Sequence, residues 1–405
     1  MRCLPENILL VLLAIVFISA GCNQSESKEE AAIRFIDPRS QEFLQLGTQA
    51  LEENNFELAF LLADSAEAYT PELADAAFLK GRIFSAIGLY DEADSLYSVS
   101  LDRVPDYRGV WHNMGNNDFR RNQFEEAVQD YWKEIALHPE ALPWRGMGRA
   151  FVELGKVDSA QYAFNQAISL DSTYAPAHFN LALLLEDEGR FDEALHHAQK
   201  ASDLNPLDLD YRYLRASLLV TNEYFTESIP HLNQVITEWP WHPASHYKLG
   251  QSLIRTGMEE EGQAILEKAE TLRAQDAKVN QLLNSARGAP GNALAHAALG
   301  SALRLVGRYE DAMRAYKIAE FLDPSNLEVQ TNMANLLLLQ GDTLGTIQGY
   351  QQILQQDPSF TGIWVNLGIV HAMSGQMPEA KNAWERALVS DPDNEAAKAY
   401  LARLE

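Results

Sequence analysis

The feature of the sequence that most constrains its fold is a pattern of small, aromatic and proline residues that returns about every 34 residues. In the segment WHNMGNNDFRRNQFEEAVQDYWKEIALHP, residues 111–139, we number Trp111 as position 4, which puts Gly115 at position 8, Ala127 at position 20 and Pro139 at position 32. Position 8 of the successive copies is always glycine or alanine: Gly47, Gly81, Gly115, Gly148, Ala182, Ala216, Gly250, Gly300, Ala334 and Gly368. A repeat that stays in phase over most of a chain indicates stacked units that share a continuous core.

The residue types at these positions favour close packing of two helices. Glycine or alanine at positions 8 and 20 allows the two backbones of a hairpin to approach, and larger residues such as Trp111, Tyr316 and Trp384 fill the space towards neighbouring helices. Proline occupies position 32 in most copies, where it ends the second helix because it cannot continue one. The sequence therefore predicts a chain of helical hairpins, each half-buried by its neighbours.

This pattern resembles that of the tetratricopeptide repeat family, and about ten copies cover residues 40–394. The resemblance implies an all-α fold, a right-handed superhelical solenoid of helix-turn-helix repeats whose first helices line a concave face. Repeats 1–7 are predicted over residues 40–274 and repeats 8–10 over residues 293–394. Residues 395–405 are predicted to form a capping helix, because their apolar side chains fall on one side.

Residues 275–292 interrupt the frame between the seventh and eighth repeats. The extra segment, QDAKVNQLLNSARGAP over residues 275–290, has the length of one helix and a turn. We therefore predict a solitary inserted helix, which acts either as a hinge or as a rigid step in the array.

The N-terminus has the features of an export signal. The apolar run ILLVLLAIVFIS, residues 8–19, would be about 18 Å long as a helix, whereas a bilayer core is roughly 30 Å thick. Residues 1–21 are therefore predicted to be a signal peptide. The stretch SAGC, residues 19–22, resembles the lipobox of bacterial lipoproteins, which usually has an aliphatic residue where this chain has Ser19.

The lipobox resemblance implies that lipid chains on Cys22 hold the protein to a membrane through a flexible tether over residues 22–39. It further implies an exported protein anchored to a bacterial cell envelope, with the periplasmic side of the outer membrane as the expected place. Simple secretion and an uncleaved signal anchor are the alternatives. The other cysteine, Cys3, lies in the segment that would be removed, so no disulfide is expected in the exported chain.

The charge of the chain bears on the class of partner. The formal net charge is -25, which repels nucleic acids and anionic lipid surfaces at long range. We therefore expect no nucleic-acid binding.

The inner face of the expected superhelix is where a partner would bind, since positions 2, 5, 9 and 12 of a first helix share one side. Position 5 brings aromatic and basic side chains to that face: Phe78, His112, Arg145, Phe179, Tyr213 and Tyr247. Position 9 adds Arg82, Asn116, Arg149 and Asn335. Arginine and aromatic residues in an otherwise acidic protein favour a partner segment with acidic and apolar side chains. The alternative is that the arginines pair with Glu153, Glu186 or Asp187 of the chain itself.

Asparagines at position 6 form a second group of candidates, namely Asn113, Asn180, Asn332 and Asn366. They resemble the asparagine ladder of the O-GlcNAc transferase repeat domain, which implies contacts to the backbone of an extended peptide. An amide both donates and accepts hydrogen bonds, so it suits that purpose. Gly146, Leu214, Lys248 and Ala298 interrupt the ladder. Capping of local backbone groups is the alternative for these asparagines.

The sequence offers no candidate catalytic residue, metal site or cofactor site. His242 with His246, and His196 with His197, lack a cysteine or carboxylate at a spacing that would complete a metal site. No phosphate-binding loop, haem-attachment motif, nucleophile elbow or HExxH motif occurs.

These observations predict a non-enzymatic scaffold that binds other proteins or extended peptides in its concave groove, with an oligomeric state that the sequence leaves open. The first alternative is a targeting or regulatory subunit of an envelope enzyme, such as a cell-wall hydrolase or a glycosyltransferase. The second is a glycan-binding envelope protein, in which Trp111, Trp144, Trp239 and Trp241 would stack on sugars.

Overall fold

The computed structural model describes residues 36–404. The predicted signal peptide, Cys22 and residues 23–35 of the predicted tether lie outside the described residues. Pro38 and Arg39, which were predicted as tether, already belong to the first helix. Within residues 36–404 every regular element is an α-helix, 21 in all, and no strand occurs. The fold predicted from the repeat, an all-α solenoid of helical hairpins, is confirmed.

The helices form ten hairpins and one final short helix. The first helices of the hairpins are α1 (Pro38–Glu52), α3 (Ala74–Ile87), α5 (Val110–Arg120), α7 (Ala141–Glu153), α9 (Ala175–Asp187), α11 (Leu209–Thr221), α13 (Pro243–Arg255), α15 (Ala293–Leu305), α17 (Leu327–Leu339) and α19 (Thr361–Met373). The second helices are α2 (Phe56–Tyr69), α4 (Tyr90–Arg103), α6 (Phe124–Leu137), α8 (Val157–Leu170), α10 (Phe191–Leu204), α12 (Phe225–Glu238), α14 (Glu259–Gly288), α16 (Tyr309–Leu322), α18 (Thr343–Gln356) and α20 (Met377–Ser390). The chain then forms α21 (Glu395–Leu401), where Tyr400 stacks on Trp384 of α20 with ring centroids 4.9 Å apart.

Each hairpin turns at one residue with positive φ. Seven of these ten residues are glycines, two are asparagines and one is Glu223, with φ between 55° and 89°. A left-handed residue ends a helix tightly, and glycine adopts this conformation without a steric cost. All ten residues stand at position 15 of the repeat frame, seven residues after position 8, so the turn belongs to the same repeat pattern.

Five of the seven glycines at position 8 lie directly against an aromatic ring at position 24 of the same hairpin, whereas Gly47 and Gly250 lie against leucines. A Cβ atom built on Gly148 would lie 2.5 Å from the Phe164 ring, and one on Gly81 would lie 2.5 Å from the Tyr97 ring. Both distances are shorter than any normal carbon contact, so only glycine allows this packing. The ring that replaces the missing side chain is itself buried, which makes the pair a core contact.

The predicted solitary helix over residues 275–290 is wrong in one respect, because it does not begin a new element. The second helix of the seventh hairpin continues through residue 274 and forms α14, a single helix of 30 residues. No proline or glycine lies between Gly262 and Gly288 to stop it, and Val279 and Ala286 are buried against α15 and α16. Among the described helices none, α14 included, combines the length and the apolar character needed to cross a bilayer.

The first helices lie on the inside of the curved array. The helix α5 contacts α7, and α7 contacts α9, whereas the corresponding second helices α6, α8 and α10 make weaker contacts with one another or none. Helices on the concave side of a curved stack are closer together than those on the convex side. The candidate groove residues on the first helices therefore belong to the inner wall.

The array curves far enough for the eighth hairpin to pack on the first two. Phe321 of α16 lies 6.2 Å from Phe56 of α2, measured between ring centroids, and Ile318 is buried in the same cluster. Lys317 Nζ donates a hydrogen bond of 2.6 Å to the backbone oxygen of Glu53. This apolar seam joins segments that are far apart in the sequence.

The ring-on-glycine contact generates a stability prediction. We expect Gly148→Ala to lower the free energy of unfolding by about 1–3 kcal/mol, because its Cβ would displace the Phe164 ring. The control is Gly288→Ala, a helical position where an added Cβ meets nothing within 4 Å, and it should be neutral or slightly stabilising. Urea denaturation followed by circular dichroism measures both, and equal effects of the two substitutions would contradict the packing argument.

Candidate partner-binding groove

The centre of the candidate site is formed by α5 and α7, which bring Arg145 and Arg149 to the inner wall. These two residues are one helical turn apart on α7, so their side chains lie on the same face. Neither forms an ion pair or a hydrogen bond within the described residues. The alternative pairing with Glu153, Glu186 or Asp187 is therefore not found in this structure.

Aromatic rings hold the two arginines in place of carboxylates. The guanidinium carbon of Arg149 lies 4.5 Å from the centre of the Phe119 ring, and that of Arg145 lies 5.9 Å from the centre of the Tyr174 ring. Burial lowers the pKa of Arg149, and the positive charge of Arg145 lowers it further. Like charges held together in a partly buried place attract an anion, since a carboxylate would relieve their repulsion.

His112 continues the site from α5 through a chain of hydrogen bonds that starts in the core. The Tyr131 hydroxyl donates to Asn116 Oδ1 at 2.8 Å, and Asn116 Nδ2 lies 3.0 Å from His112 Nε2. If the amide donates to Nε2, the neutral imidazole carries its proton on Nδ1. That nitrogen is buried and has no partner, and only 6% of His112 is exposed.

Unsatisfied polar atoms mark the same wall more broadly. Four buried side-chain atoms in the described part of the chain have no hydrogen-bond partner: His112 Nδ1, Arg145 Nε, Asn180 Oδ1 and Arg304 Nε. All four belong to first helices, and three of them belong to the successive helices α5, α7 and α9. Unpaired buried polar groups are rare and costly in folded proteins, so their concentration on these helices sets this wall apart from the rest of the array.

The other predicted aromatic residues contribute mainly to packing between repeats. Phe78 lies 5.0 Å from Tyr107, Phe179 lies 4.9 Å from Tyr211, and Tyr213 lies 4.8 Å from His242, all between ring centroids. Tyr247 differs, because 50% of it is exposed. Arg82 is half-buried and has no ion-pair partner among residues 36–404.

The predicted asparagines divide into three groups. Asn113 donates to the backbone oxygen of Gly109 at 2.7 Å, which is the local capping alternative. Asn335 and Asn366, like Asn116, form hydrogen bonds with a core tyrosine, here Tyr350. Only Asn180 and Asn332 make no side-chain hydrogen bond within the described residues and keep their amides for a partner.

Packing in the core explains why residue 146 is a glycine and interrupts the asparagine ladder. A Cβ atom on Gly146 would lie 2.6 Å from the Tyr131 ring, and one on Gly115 would lie 3.0 Å from the same ring. Tyr131 is therefore enclosed between glycines of two successive hairpins. An asparagine at residue 146 would displace this ring.

Sequence reasoning missed two contributors to the site. Arg120, at the end of α5, adds a third positive charge that lowers the pKa of Arg149. The buried Glu134 of α6 accepts hydrogen bonds from the backbone nitrogens of Gly109 at 2.8 Å and His112 at 3.3 Å. A glutamate of the second helix that caps a first helix in this way fixes the start of α5, and the sequence pattern gives no signal for it.

The histidines are engaged with other groups. His246 Nδ1 lies 3.0 Å from the backbone oxygen of His242, and His178 Nδ1 lies 2.9 Å from His197 Nδ1. Among residues 36–404, no group of three or more histidine, cysteine, aspartate or glutamate residues is placed to hold a metal ion.

Comparison with known proteins adds four matches to sequence models of repeat families. A TPR repeat model matches residues 148–189, and three models described as tetratricopeptide repeat match residues 175–208, 243–276 and 337–404. These segments fall on the fourth, fifth and seventh hairpins and on the last two.

Relatives and solved structures are distant. The chain is 25% identical over 188 residues to the Protein CTR9 homolog of Arabidopsis thaliana, which covers 44% of this chain and 17% of that protein. It is 23% identical over 375 residues to the human Protein O-mannosyl-transferase TMTC3, which covers 87% of this chain and 39% of that protein. The chain thus spans well under half of both relatives. The crystal structure of TTC0263, a TPR protein of Thermus thermophilus, is 26% identical, with a TM-score of 0.41 over 45% of this chain and 99% of that one.

The state of His112 can be measured directly. Burial, and after it the charge of Arg145, lowers the pKa of His112 to about 4, whereas an unfolded chain titrates near 6.5. Between about pH 6.5 and pH 4 the unfolded state therefore binds a proton at His112 that the folded state does not bind. Protonation then favours unfolding, so the free energy of unfolding decreases as the pH falls through this range.

We expect an NMR titration of His112 to show a midpoint near pH 4, and Arg145→Gln to raise that midpoint because it removes the second cause. A midpoint at the ordinary value in the unsubstituted protein would show that the imidazole is not enclosed as described.

Proposed function

Because the chain is a tetratricopeptide repeat protein, we propose that it is a non-enzymatic scaffold that binds an acidic segment of a partner protein in its inner groove. The tetratricopeptide repeat fold in general binds proteins and peptides. The proposal concerns which kind of segment this protein binds and where it binds it. The observation that carries it is the set of unpaired groups on α5, α7 and α9, with Arg145 and Arg149 at the centre.

The chemistry of these groups favours carboxylates. Two arginines on one helical face can each give a forked pair of hydrogen bonds to a carboxylate, and the rings of Phe119 and Tyr174 keep the guanidinium planes in place. The net charge of -25 means that an acidic partner is repelled by most of this protein's surface. Binding is therefore confined to the place where the sign of the charge is reversed.

One further group suits an extended segment. Asn180 of α9 is half-buried, and its side-chain oxygen has no donor. A peptide backbone supplies both a donor and an acceptor at every residue. Carboxylates would pair with the arginines, and a backbone N–H would supply the donor that the Asn180 side chain lacks.

The test is a selection of random peptides displayed against the full-length protein. We expect the selected peptides to be enriched in aspartate and glutamate, and the double variant Arg145→Glu/Arg149→Glu to bind them at least about tenfold more weakly. The variant Arg145→Lys/Arg149→Lys should give an intermediate loss, since lysine keeps the charge but not the fork.

The matched control is Arg273→Glu/Arg386→Glu, which makes the same change in net charge at exposed residues of α14 and α20. It should change affinity by less than about twofold, because exposed charges act weakly at a distance. Selected peptides without acidic enrichment, or equal losses of affinity in both double variants, would refute the proposal that Arg145 and Arg149 bind acidic segments. The same proteins used as baits in envelope extract would identify the natural partner.

The proposed place of action is a bacterial envelope membrane, to which lipid on Cys22 attaches the protein with its groove in the periplasm. The sequence SAGC and the apolar run before it support this proposal. A lipid anchor and a tether would leave the hairpins free to meet partners near the membrane surface.

Anchoring is tested in a Gram-negative host by detergent phase partitioning of the full-length protein. We expect the unsubstituted protein in the detergent phase and Cys22→Ser in the aqueous phase or retained as an unprocessed precursor. Cys3→Ser, in the segment predicted to be removed, is the control and should partition like the unsubstituted protein. Full membrane retention of Cys22→Ser with an uncleaved N-terminus would instead support a signal anchor.

A further inference from the structure

The outer side of the array carries an aromatic cluster that the groove does not use. Trp132 of α6 and Tyr162 of α8 lie on either side of Trp144, which belongs to α7. The ring centroids of Trp132 and Tyr162 are each 5.9 Å from that of Trp144, at interplanar angles of 85° and 75°. Trp132 and Tyr162 do not contact each other. The three rings line one cavity, and Trp144 is the ring that both of the others contact edge to face.

This aromatic box, as we name Trp132, Trp144 and Tyr162, is open to solvent. Trp144 is 9% exposed, whereas Trp132 and Tyr162 are 56% and 58% exposed. The cavity has a volume of about 480 Å³ and is otherwise lined by Val128, Met147, Phe151, Asp158 and Ser159. Large exposed aromatic side chains that stand together, rather than singly, indicate a binding surface.

The box contains one charged group, the carboxylate of Asp158. Within the described residues Asp158 has neither an ion pair nor a hydrogen bond. It lies in the first turn of α8, close to Tyr162 in the same helix. A free carboxylate at the edge of an aromatic cavity makes the site attractive to a cation and unattractive to an anion.

Elsewhere the protein covers exposed ring faces with its own cations. Lys133 lies 3.9 Å from the centre of the Trp111 ring, and Arg308 lies 4.5 Å from that of Trp241. No arginine or lysine within residues 36–404 lies over a ring of the aromatic box. The exposed rings of Trp132 and Tyr162 and the carboxylate of Asp158 are therefore not occupied by a cation of the described chain.

We propose that the aromatic box binds a small molecule with a quaternary ammonium group, of the choline class. A primary ammonium brings three N–H donors and needs acceptors for them. The side-chain acceptors of the lining are the Asp158 carboxylate and the hydroxyls of Ser159 and Tyr162, and the other five lining side chains offer no oxygen. A methylated ammonium needs no hydrogen bond and gains from every aromatic face that surrounds it. The cavity is much larger than a trimethylammonium group, so the rest of such a ligand also fits.

The site is independent of the groove, since it lies between the second helices α6 and α8 on the opposite side of the hairpins. Occupation of one does not require occupation of the other. A failure of either proposal therefore leaves the other standing.

The test is an NMR titration of the full-length protein with choline, which follows the indole N–H signals of Trp132 and Trp144. We expect saturable shifts of these two signals at millimolar choline or below. Two comparison probes separate the effects of charge and methylation. The first is 3,3-dimethyl-1-butanol, the neutral carbon analogue of choline, and the second is ethanolamine, which has a primary ammonium group. Both should bind at least about fivefold more weakly than choline.

Variants of exposed residues test the geometry without disturbing the fold. Trp132→Ala and Tyr162→Ala should each weaken choline binding about tenfold, and Asp158→Asn about threefold or more. The control is Tyr224→Ala, which removes an aromatic ring that is 48% exposed in a different hairpin and should leave the affinity unchanged. Circular dichroism of all four variants should match the unsubstituted protein.

Three results would overturn the proposal. Absence of saturable shifts with choline excludes the ligand class. Equal binding of the neutral analogue shows that the box recognises shape and apolar surface rather than charge. Shifts of the same indole signals by N-acetylglucosamine oligomers but not by choline would make the box a sugar-stacking site instead.

Discussion

The packing of an aromatic ring on a glycine is the contact on which the rest of this structure depends. Because Gly148 has no side chain, the Phe164 ring occupies the space beside its backbone, and that fixes the distance between the two helices of the hairpin. Tyr131 extends the same contact across a boundary between hairpins, since it lies against both Gly115 and Gly146. Helix separation within a repeat and rotation between repeats are thus set by one kind of contact.

The same ring connects the core to the groove. The Tyr131 hydroxyl needs a partner when it is buried, and Asn116 provides one and in turn reaches His112. The hydrogen bonds of the core therefore continue from Tyr131 through Asn116 to His112, and only the buried Nδ1 of His112 is left without a partner. The core tyrosines have hydrogen-bond partners, whereas His112 Nδ1 and Arg145 Nε have none. These unpaired atoms lower the stability of the fold at the candidate site, and such local costs are common where a protein binds a ligand.

The sequence predicted the hairpins well because contacts within one repeat restrict position 8 to glycine or alanine. The same restriction applies in every repeat, so these residues recur periodically in the sequence. It was less informative about side chains whose partners are chosen by geometry. Arg145 and Arg149 stood at the right positions, but their freedom from Glu153 and Glu186 depends on side-chain directions that no spacing reveals. The solitary helix was wrong for a related reason, since a break in the repeat frame is not a break in the backbone unless a residue such as proline imposes one.

The seam between the eighth hairpin and the first two is the least predictable part, because it joins Phe321 to Phe56 and Lys317 to Glu53 across most of the chain. It also changes the energetics of the fold. An open solenoid is stabilised only by neighbours, so its first repeat has one neighbour and frays. Here α2 has a second one in α16, whereas the last two hairpins lie beyond the seam and keep the energetics of an open end. Closure therefore divides one continuous array into a ring of hairpins that stabilise each other and a tail that does not share this support. The inner wall with Arg145 and the aromatic box both belong to the ring, where the spacing of their helices is held from both directions.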